Sequence, residues 1–416
     1  MRPSPPPSER GRRGNAPIAA LITALIPALL LALGAAAARG AEPAGASPAC
    51  AHLISLMALQ SGAAVWLPSY PQAPPGPLQH AAFLYDNAAT AIALTGCGQP
   101  LQARRIGEAM RLALEHDRFW HDGRLRNGYL AGTVRAATPI RLAGWWDSRS
   151  RSWLEDDYQS GSDSGNLAWA VLALLTLEAP DGRYVDAALR IARWLETRRD
   201  RRGAGGFTGG SAGSEAAPRP QLWKSTEHNV DLAAAFARLA AASSDPHWDG
   251  LSREAATFVA AMWDDTQAAF AAGTVEDGVT LNALRALDAQ VWPLLALPGA
   301  IRRYGPVLTR TVPLLRAGAQ QDPGFSYGEA GRGLWTEGTA QVALLGRLSG
   351  RPELVMPAAL EAARAADGGY FATTQAALPT GFGTSYLHLE HLGALAWVAL
   401  AEQRFDPFTG TRALPP

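Results

Sequence analysis

Apolar segments of two kinds alternate along the chain from residue 80 onwards. The segment GNLAWAVLALLTLE is apolar almost all round, whereas the next, RYVDAALRIARWLETRR, sets an apolar stripe against a charged face. A stripe of period 3.6 predicts an amphipathic helix, and an all-apolar helix is expected to be buried on every side. The contrast recurs in NVDLAAAFARLAAA against LSREAATFVAAMWDD and in GTAQVALLGRLSG against PELVMPAALEAARAA. No run of alternating strands is visible, so the pattern predicts an all-α protein.

Buried helices that alternate with one-sided helices predict an inner ring wrapped by an outer ring. The inner helices are predicted to begin near Tyr85, Asp163, Glu227, Asp288, Glu337 and Glu390. Five hairpins span 80–366, and a last inner helix at 388–403 lacks a downstream partner. The segment near 50–62 is the candidate for that partner. The prediction is an (α/α)6 toroid of six helical hairpins, one domain at 46–408 with a short tail at 409–416.

The two cysteines of the chain, Cys50 and Cys97, fit this arrangement. Cys50 opens an outer helix, and Cys97 closes the inner helix next to it. If the two helices pack antiparallel, the thiols lie at the same end of the ring. The sequence therefore predicts a disulfide that fastens the N-terminal helix, stabilising by about 2–4 kcal/mol.

The N-terminal segment 1–40 has the composition of an export signal. A basic stretch, ERGRRGNAP, precedes a long apolar stretch and then small residues, with an expected cleavage site between Ala38 and Ala41. The apolar stretch is about as long as a membrane span needs, so an uncleaved inner-membrane anchor is the alternative. A periplasmic or secreted protein is expected.

The charge and composition limit the classes of ligand that the protein is expected to bind. The net charge is +0 and the folded portion has no long basic run, which argues against nucleic acid. Several of the 13 tryptophans, Trp146 and Trp223 among them, fall in loop-like stretches, where aromatic faces suit stacking on sugars. Two cysteines and the isolated HLEH motif do not supply the three or four clustered ligands of a metal site. We expect no metal, no cofactor and a monomer.

The alternation of helices, the six helix starts and the acidic, aromatic loops resemble the six-hairpin glycosidase superfamily of (α/α)6 barrels over residues 46–408. The resemblance implies a carbohydrate cleft where the inner helices begin, with carboxylates as acid and base.

Polar side chains do occupy those helix starts. A helix N-terminus stabilises a carboxylate by about 0.3–1 kcal/mol, so capping explains any single one of them. Six acidic starts around one rim predict a site instead. Its substrate-binding candidates are Tyr85, Asn87, Asp163, His228, Asp231, Asp288, Trp335, His388, Glu390, Trp146 and Trp223.

The catalytic candidates are Glu227, Glu337 and Asp86. With Ser225 as N-cap, Glu227 falls in the first turn, where its proton affinity can be tuned by neighbours. Glu337 follows Trp335, and an apolar neighbour disfavours the charged form, which suits a general acid. Carboxylates on separate inner helices favour the longer separation that leaves room for a water, and so an inverting glycoside hydrolase.

Two alternatives remain on the same fold. A polysaccharide lyase or a sugar epimerase would use His228, His388, His391 and Tyr85 for proton abstraction. A non-catalytic glycan-binding protein of an envelope polysaccharide system would bind sugar without turnover.

Overall fold

The structure, a computed structural model, describes residues 47–136, 139–177, 179, 181–318 and 323–413, and they belong to one compact unit. The predicted signal or anchor at 1–40 lies outside the described residues. No helix in the described part is long and apolar enough to cross a membrane.

Six buried helices form a closed inner ring, as predicted. Each contacts the next, and the last contacts the first. They are α2 (Leu84–Gly96), α5 (Ser164–Thr176), α7 (Thr226–Ser243), α9 (Leu287–Ala296), α12 (Thr336–Ser349) and α14 (Leu392–Gln403). Five of them begin at or next to the predicted residue. The last begins at Leu392, after the predicted Glu390, because His391 is its N-cap.

The outer layer is less regular than the inner ring. Long outer helices are α1 (Pro48–Ala58), α3 (Pro100–His116), α6 (Arg183–Glu196) and α8 (His247–Ala261). Prolines divide the last two outer segments into α10 (Ala300–Tyr304), α11 (Val307–Arg310), a 3-10 helix (Val312–Leu315), another (Pro352–Leu354) and α13 (Pro357–Ala362). A short helix α4 (Asp157–Ser160) precedes α5. Helix α1 packs on both α14 and α2 and closes the outer ring, which confirms the toroid.

Short antiparallel strands connect the helices. Their bounds are β1 (Val65–Trp66), β2 (Ala81–Phe83), β3 (Gly128–Leu130), β4 (Gly132–Thr133), β5 (Trp145–Asp147), β6 (Ser152–Leu154), β7 (Ser162–Asp163), β8 (Gly210–Ala212), β9 (Arg219–Gln221), β10 (Trp263–Asp264), β11 (Ala269–Phe270), β12 (Gly273–Thr274), β13 (Leu281–Asn282), β14 (Ala377–Pro379), β15 (Ser385–Leu387), β16 (Phe405–Asp406) and β17 (Thr411–Arg412). Sheets β2–β3 and β7–β8–β9 run directly into the starts of α2 and α5. They therefore fix the loops at the end of the ring where the inner helices begin.

Aromatic rings fill the centre of the toroid. Trp169, Trp292 and Trp397 come from three alternate inner helices and pack on one another, and Phe408 packs on the first two, with ring centroids 5.4–5.7 Å apart. We call these four side chains the aromatic plug. Phe408 lies in the β16–β17 hairpin, in which residues 411 and 412 pair with the strand Phe405–Asp406 beside the plug.

Cys50 and Cys97 are joined by a disulfide, with Cα atoms 5.7 Å apart. The bond ties the first turn of α1 to the end of α2 and so fastens the helix that closes the ring.

Candidate active site

The three catalytic candidates lie at the N-terminal ends of alternate inner helices. Asp86 is in the first turn of α2, Glu227 in that of α7 and Glu337 in that of α12. Ser225 caps α7 by accepting a hydrogen bond from the His228 amide, which confirms the predicted N-cap. Because the cap is a serine, the Glu227 carboxylate is left free of the capping role.

Glu337 is buried at the floor of the site, above the aromatic plug. Its Oε1 accepts a 2.5 Å hydrogen bond from Tyr85, whose oxygen in turn accepts one of 2.7 Å from the Trp397 indole. The indole N–H occupies the tyrosine oxygen, so the tyrosine proton is directed at Glu337. Gln341 lies 3.4 Å from the same oxygen. Burial raises the pKa of Glu337 to about 7, although His391 and the Tyr85 hydrogen bond oppose the increase.

His391 lies between two carboxyl groups. Its Nε2 is 3.3 Å from Asp86 Oδ2, and its Nδ1 is 3.8 Å from Glu337 Oε2. Burial lowers the pKa of His391, but the two carboxylates outweigh burial and the net pKa is raised. A Cβ on Gly393 would lie 2.7 Å from Asp86 Oδ1 and 3.3 Å from Glu337 Oε2, which puts these oxygens within about 6 Å of each other. Only glycine fits between them.

A second group of acids lies on α7 and α9. Glu227 is partly exposed, whereas Asp231, one turn below, is fully buried and both its carboxyl oxygens lack a hydrogen-bond partner. Burial and then repulsion from Asp288 raise the pKa values of Glu227 and Asp231 well above the ordinary range. Burial raises the pKa of Asp288 to about 7, against a 2.7 Å hydrogen bond from the Ala289 amide. At neutral pH this group therefore retains protons.

Asp163 lies at the start of α5, where β7 ends. Its amide donates to Asn127 Oδ1 at 2.7 Å, and the same oxygen accepts from Asn166 at 2.9 Å. Asp163 Oδ1 is buried without a partner, and burial raises the pKa of Asp163 to about 7. Asn127, which positions this acid, comes from the β3 loop and carries no signal in the sequence.

Three predicted substrate-binding residues are not brought into the cleft. Both ends of the Asn87 amide are bonded to the backbone of Leu67, at 2.9 and 3.0 Å. Glu390 accepts from Gln72 at 2.7 Å, and His388 is exposed and stacks on Phe371 with a centroid distance of 4.1 Å. The side chains of Asn87 and Glu390 are thus hydrogen-bonded to loop residues, and the helix start at Leu392 places Glu390 outside the first turn.

The other aromatic and histidine candidates lie on the walls. Trp335 is only 1% exposed and packs on Tyr327 at 4.8 Å and Tyr386 at 5.5 Å, so it supports these tyrosines. Trp223 lies 5.3 Å from the His228 ring, whose Nδ1 is 3.2 Å from Ser164 Oγ. Burial lowers the pKa of His228 to about 4, which keeps this imidazole neutral.

The site is acidic. Asp86 and Glu337 pair with His391. No Lys or Arg of the described residues forms an ion pair with any of the acids at the inner-helix starts, which are Asp86, Asp163, Glu227, Asp231, Asp288 and Glu337. Within the described ranges, no group of three acidic, histidine or cysteine side chains could hold a metal ion.

Six inner helices with a rim of carboxylates at their N-terminal ends form an (α/α)6 toroid with one acidic end. A solved glycosidase matches at a TM-score of 0.57 and 14% identity, over 86% of this chain and 96% of that chain. A cellobiose 2-epimerase from Spirochaeta thermophila matches at 0.56 and 15% identity, over 92% and 98%. A glycoside hydrolase family 76 mannosidase from Bacteroides thetaiotaomicron matches at 0.56 and 12% identity, over 87% and 98%. At such identities the likeness establishes the fold.

No protein-family model matches the sequence, and no curated protein sequence is detectably similar to it.

Proposed function

We propose that the chain is an exported glycoside hydrolase that cleaves a polysaccharide or oligosaccharide with two carboxyl groups, Glu227 and Glu337, and inverts the anomeric centre. The observation that carries the proposal is the contrast between these two groups. One is partly exposed among other acids, and the other is buried and receives a tyrosine hydrogen bond.

Glu227 is assigned as the general acid. Burial, and then repulsion from Asp288 and Asp231, raise the pKa of Glu227, so a proton is available at neutral pH. That proton passes to the glycosidic oxygen as the bond from this oxygen to the anomeric carbon breaks. The partial exposure of Glu227 leaves it open to a bound sugar.

Glu337 is assigned as the general base. The Tyr85 hydroxyl donates to its Oε1, and such a bond favours the ionised carboxylate. Glu337 accepts a proton from the attacking water, whose oxygen bonds to the anomeric carbon. Helix α9 separates the helices that carry the two groups, which favours the separation of about 6.5–9.5 Å associated with inversion.

A sugar epimerase is the second candidate, because His391 lies between Asp86 and Glu337 where an imidazole could move a proton at a sugar carbon. A lyase, the other alternative, would use the same histidines and Tyr85 for proton abstraction and would leave an unsaturated sugar.

The test is a screen of the purified protein against bacterial and plant polysaccharides, with the products identified by NMR. We expect hydrolysis, inversion in the first-formed product, and a loss of about 10²–10⁴-fold in kcat for Glu227→Gln and for Glu337→Gln. Glu353→Gln, an exposed glutamate outside the site, is the matched control and should retain full activity. Full activity in both site variants would refute the assignment.

Other products of the same screen decide between the candidates. A product with the same anomeric configuration as the substrate would refute inversion but would still show that the protein is a hydrolase. An isomerised sugar without cleavage would identify an epimerase, an unsaturated product a lyase, and retention of glycan without turnover a binding protein.

Export is a separate part of the proposal. The signal-like segment 1–40 and a disulfide of the kind that persists in oxidising compartments support it. Mass analysis of the N-terminus of the native protein would show cleavage between Ala38 and Ala41, or an intact segment if the chain is anchored.

A further inference from the structure

A succession of aromatic rings leads away from the site. His391 stacks on Tyr70 with centroids 4.7 Å apart and planes at 17°. Tyr70 meets the edge of Phe83 at 6.4 Å, and Phe83 meets Tyr158 at 6.0 Å. Each ring touches the next, so the series forms one continuous wall from the carboxylates to helix α4.

Exposure rises along this wall. Tyr70 is 9% exposed, and Tyr158 is 45% exposed. Tyr158 still belongs to the cleft, because its hydroxyl accepts a 3.1 Å hydrogen bond from Asn166 in the first turn of α5. The wall therefore begins buried beside His391 and opens to solvent at α4.

The β5–β6 hairpin immediately precedes α4 and continues the series. Trp146 and Trp153 are directly paired across the two strands, so their side chains lie on one face of the hairpin. They are 62% and 52% exposed. A Cβ at Gly144 would lie 2.4 Å from Trp153 Nε1, so this indole rests against the Gly144 backbone. The hairpin thus presents two large aromatic side chains to solvent.

Hydrogen bonds fix the two-residue segment between the β5–β6 hairpin and α4. Arg118 donates two hydrogen bonds to Glu155, one of them at 2.7 Å, and a third at 2.6 Å to Glu215. Asp156 caps α4 by accepting from the amides of Tyr158 and Gln159. These contacts fix the short segment that joins the tryptophan-bearing hairpin to α4, where the aromatic wall ends.

We propose that Tyr158, Trp153 and Trp146 form a track that binds the sugar units of a long glycan extending out of the cleft, so that the substrate is a polysaccharide rather than a short oligosaccharide. The proposal rests on the proposed function. The apolar faces of sugar rings stack on aromatic side chains, and the graded exposure suits a chain that enters from solvent. The ligand on this track is the uncleaved remainder of the glycan that is bound in the cleft.

The experiment compares long and short glycans. Native gels containing laminarin, barley β-glucan, xylan or yeast mannan measure retardation of the wild type, of Trp146→Ala/Trp153→Ala, and of Tyr158→Ala. Hydrolysis is measured on each polymer and on the disaccharide of the same linkage. Leu101→Ala is the control, since it removes another exposed apolar side chain, 71% exposed, at the start of outer helix α3.

We expect at least one polymer to retard the wild type, and the double variant to bind that polymer about tenfold more weakly and to lose more kcat/KM on the polymer than on the disaccharide of the same linkage. Leu101→Ala should match the wild type. Unchanged retardation of the double variant, or a wild type retarded by none of the four polymers, would overturn the track. Retardation that needs the tryptophans but is accompanied by no hydrolysis would sustain the track and refute the proposed function.

Discussion

The hydrogen bond from Tyr85 to Glu337 offers a direct test of the assigned base. Tyr85→Phe removes the hydroxyl and keeps the ring, which packs on Trp169 at 5.1 Å and Trp292 at 6.3 Å. The aromatic plug should therefore remain in place. Glu337 would keep only the weak 3.4 Å contact with Gln341 and the nearby His391.

The size of the effect follows from the burial of Glu337. A hydrogen bond to a charged group stabilises it by about 1.5–3 kcal/mol, and one pKa unit corresponds to about 1.36 kcal/mol. Loss of the Tyr85 bond should therefore raise the pKa of Glu337 from about 7 to about 8–9. Because the base acts when ionised, the acidic limb of the pH profile should move to higher pH by about one to two units.

The assay is the pH dependence of kcat/KM between about pH 5 and 9.5. At pH 6, Tyr85→Phe should lose about 10–100-fold, and part of the loss should be recovered at high pH. Tyr184→Phe is a matched control, because Tyr184 donates a similar 2.9 Å hydrogen bond to Glu108 on an outer helix. An unchanged acidic limb in Tyr85→Phe would refute the role of Glu337 as the base.

Three further predictions concern stability and geometry. Burial raises the pKa values of three site carboxyls from 3.8 or 4.5 to about 7, so the folded state holds protons that the unfolded chain releases, and stability is lost as pH rises from about 4 to 7. The melting temperature should be higher at pH 5 than at pH 8, and a rise across that window would contradict the reasoning. Replacing both cysteines by serine should lower the free energy of unfolding by about 2–4 kcal/mol, measured by denaturant titration. Gly393→Ala places a methyl group 2.7 Å from Asp86 Oδ1 and should abolish most activity in a protein with native circular dichroism, whereas Gly250→Ala, with open space around its Cβ, should be silent.

The ring was predictable because burial on all sides and burial on one side leave different periodicities in the sequence. That contrast located five inner helix starts to within one residue and the sixth to within two. The Ser225 cap was predictable for the same kind of reason, since capping is local chemistry.

The parts of the site that could not be predicted depend on long-range contacts. His391 is an N-cap whose second nitrogen faces Asp86 only because α14 returns beside α2. Asn127 and Tyr70 come from loops without periodicity. Phe408 follows the last inner helix in a segment without helical periodicity, and its place in the aromatic plug depends on contacts with Trp169 and Trp292 from distant parts of the chain.

The closure of the ring also defines how the molecule would bear a pulling force. Helices α14 and α1 are neighbours in the ring, but they are the last and first helices of the described residues and no loop joins them. The join is held by packing and by contacts such as the 3.1 Å hydrogen bond from Gln403 to Ser47. A load applied at residue 47 would reach Cys50 within three residues and pass through the disulfide to Cys97 at the end of α2. The covalent path of the force therefore bypasses residues 51–96, so the disulfide protects most of α1 and all of α2 from being pulled directly.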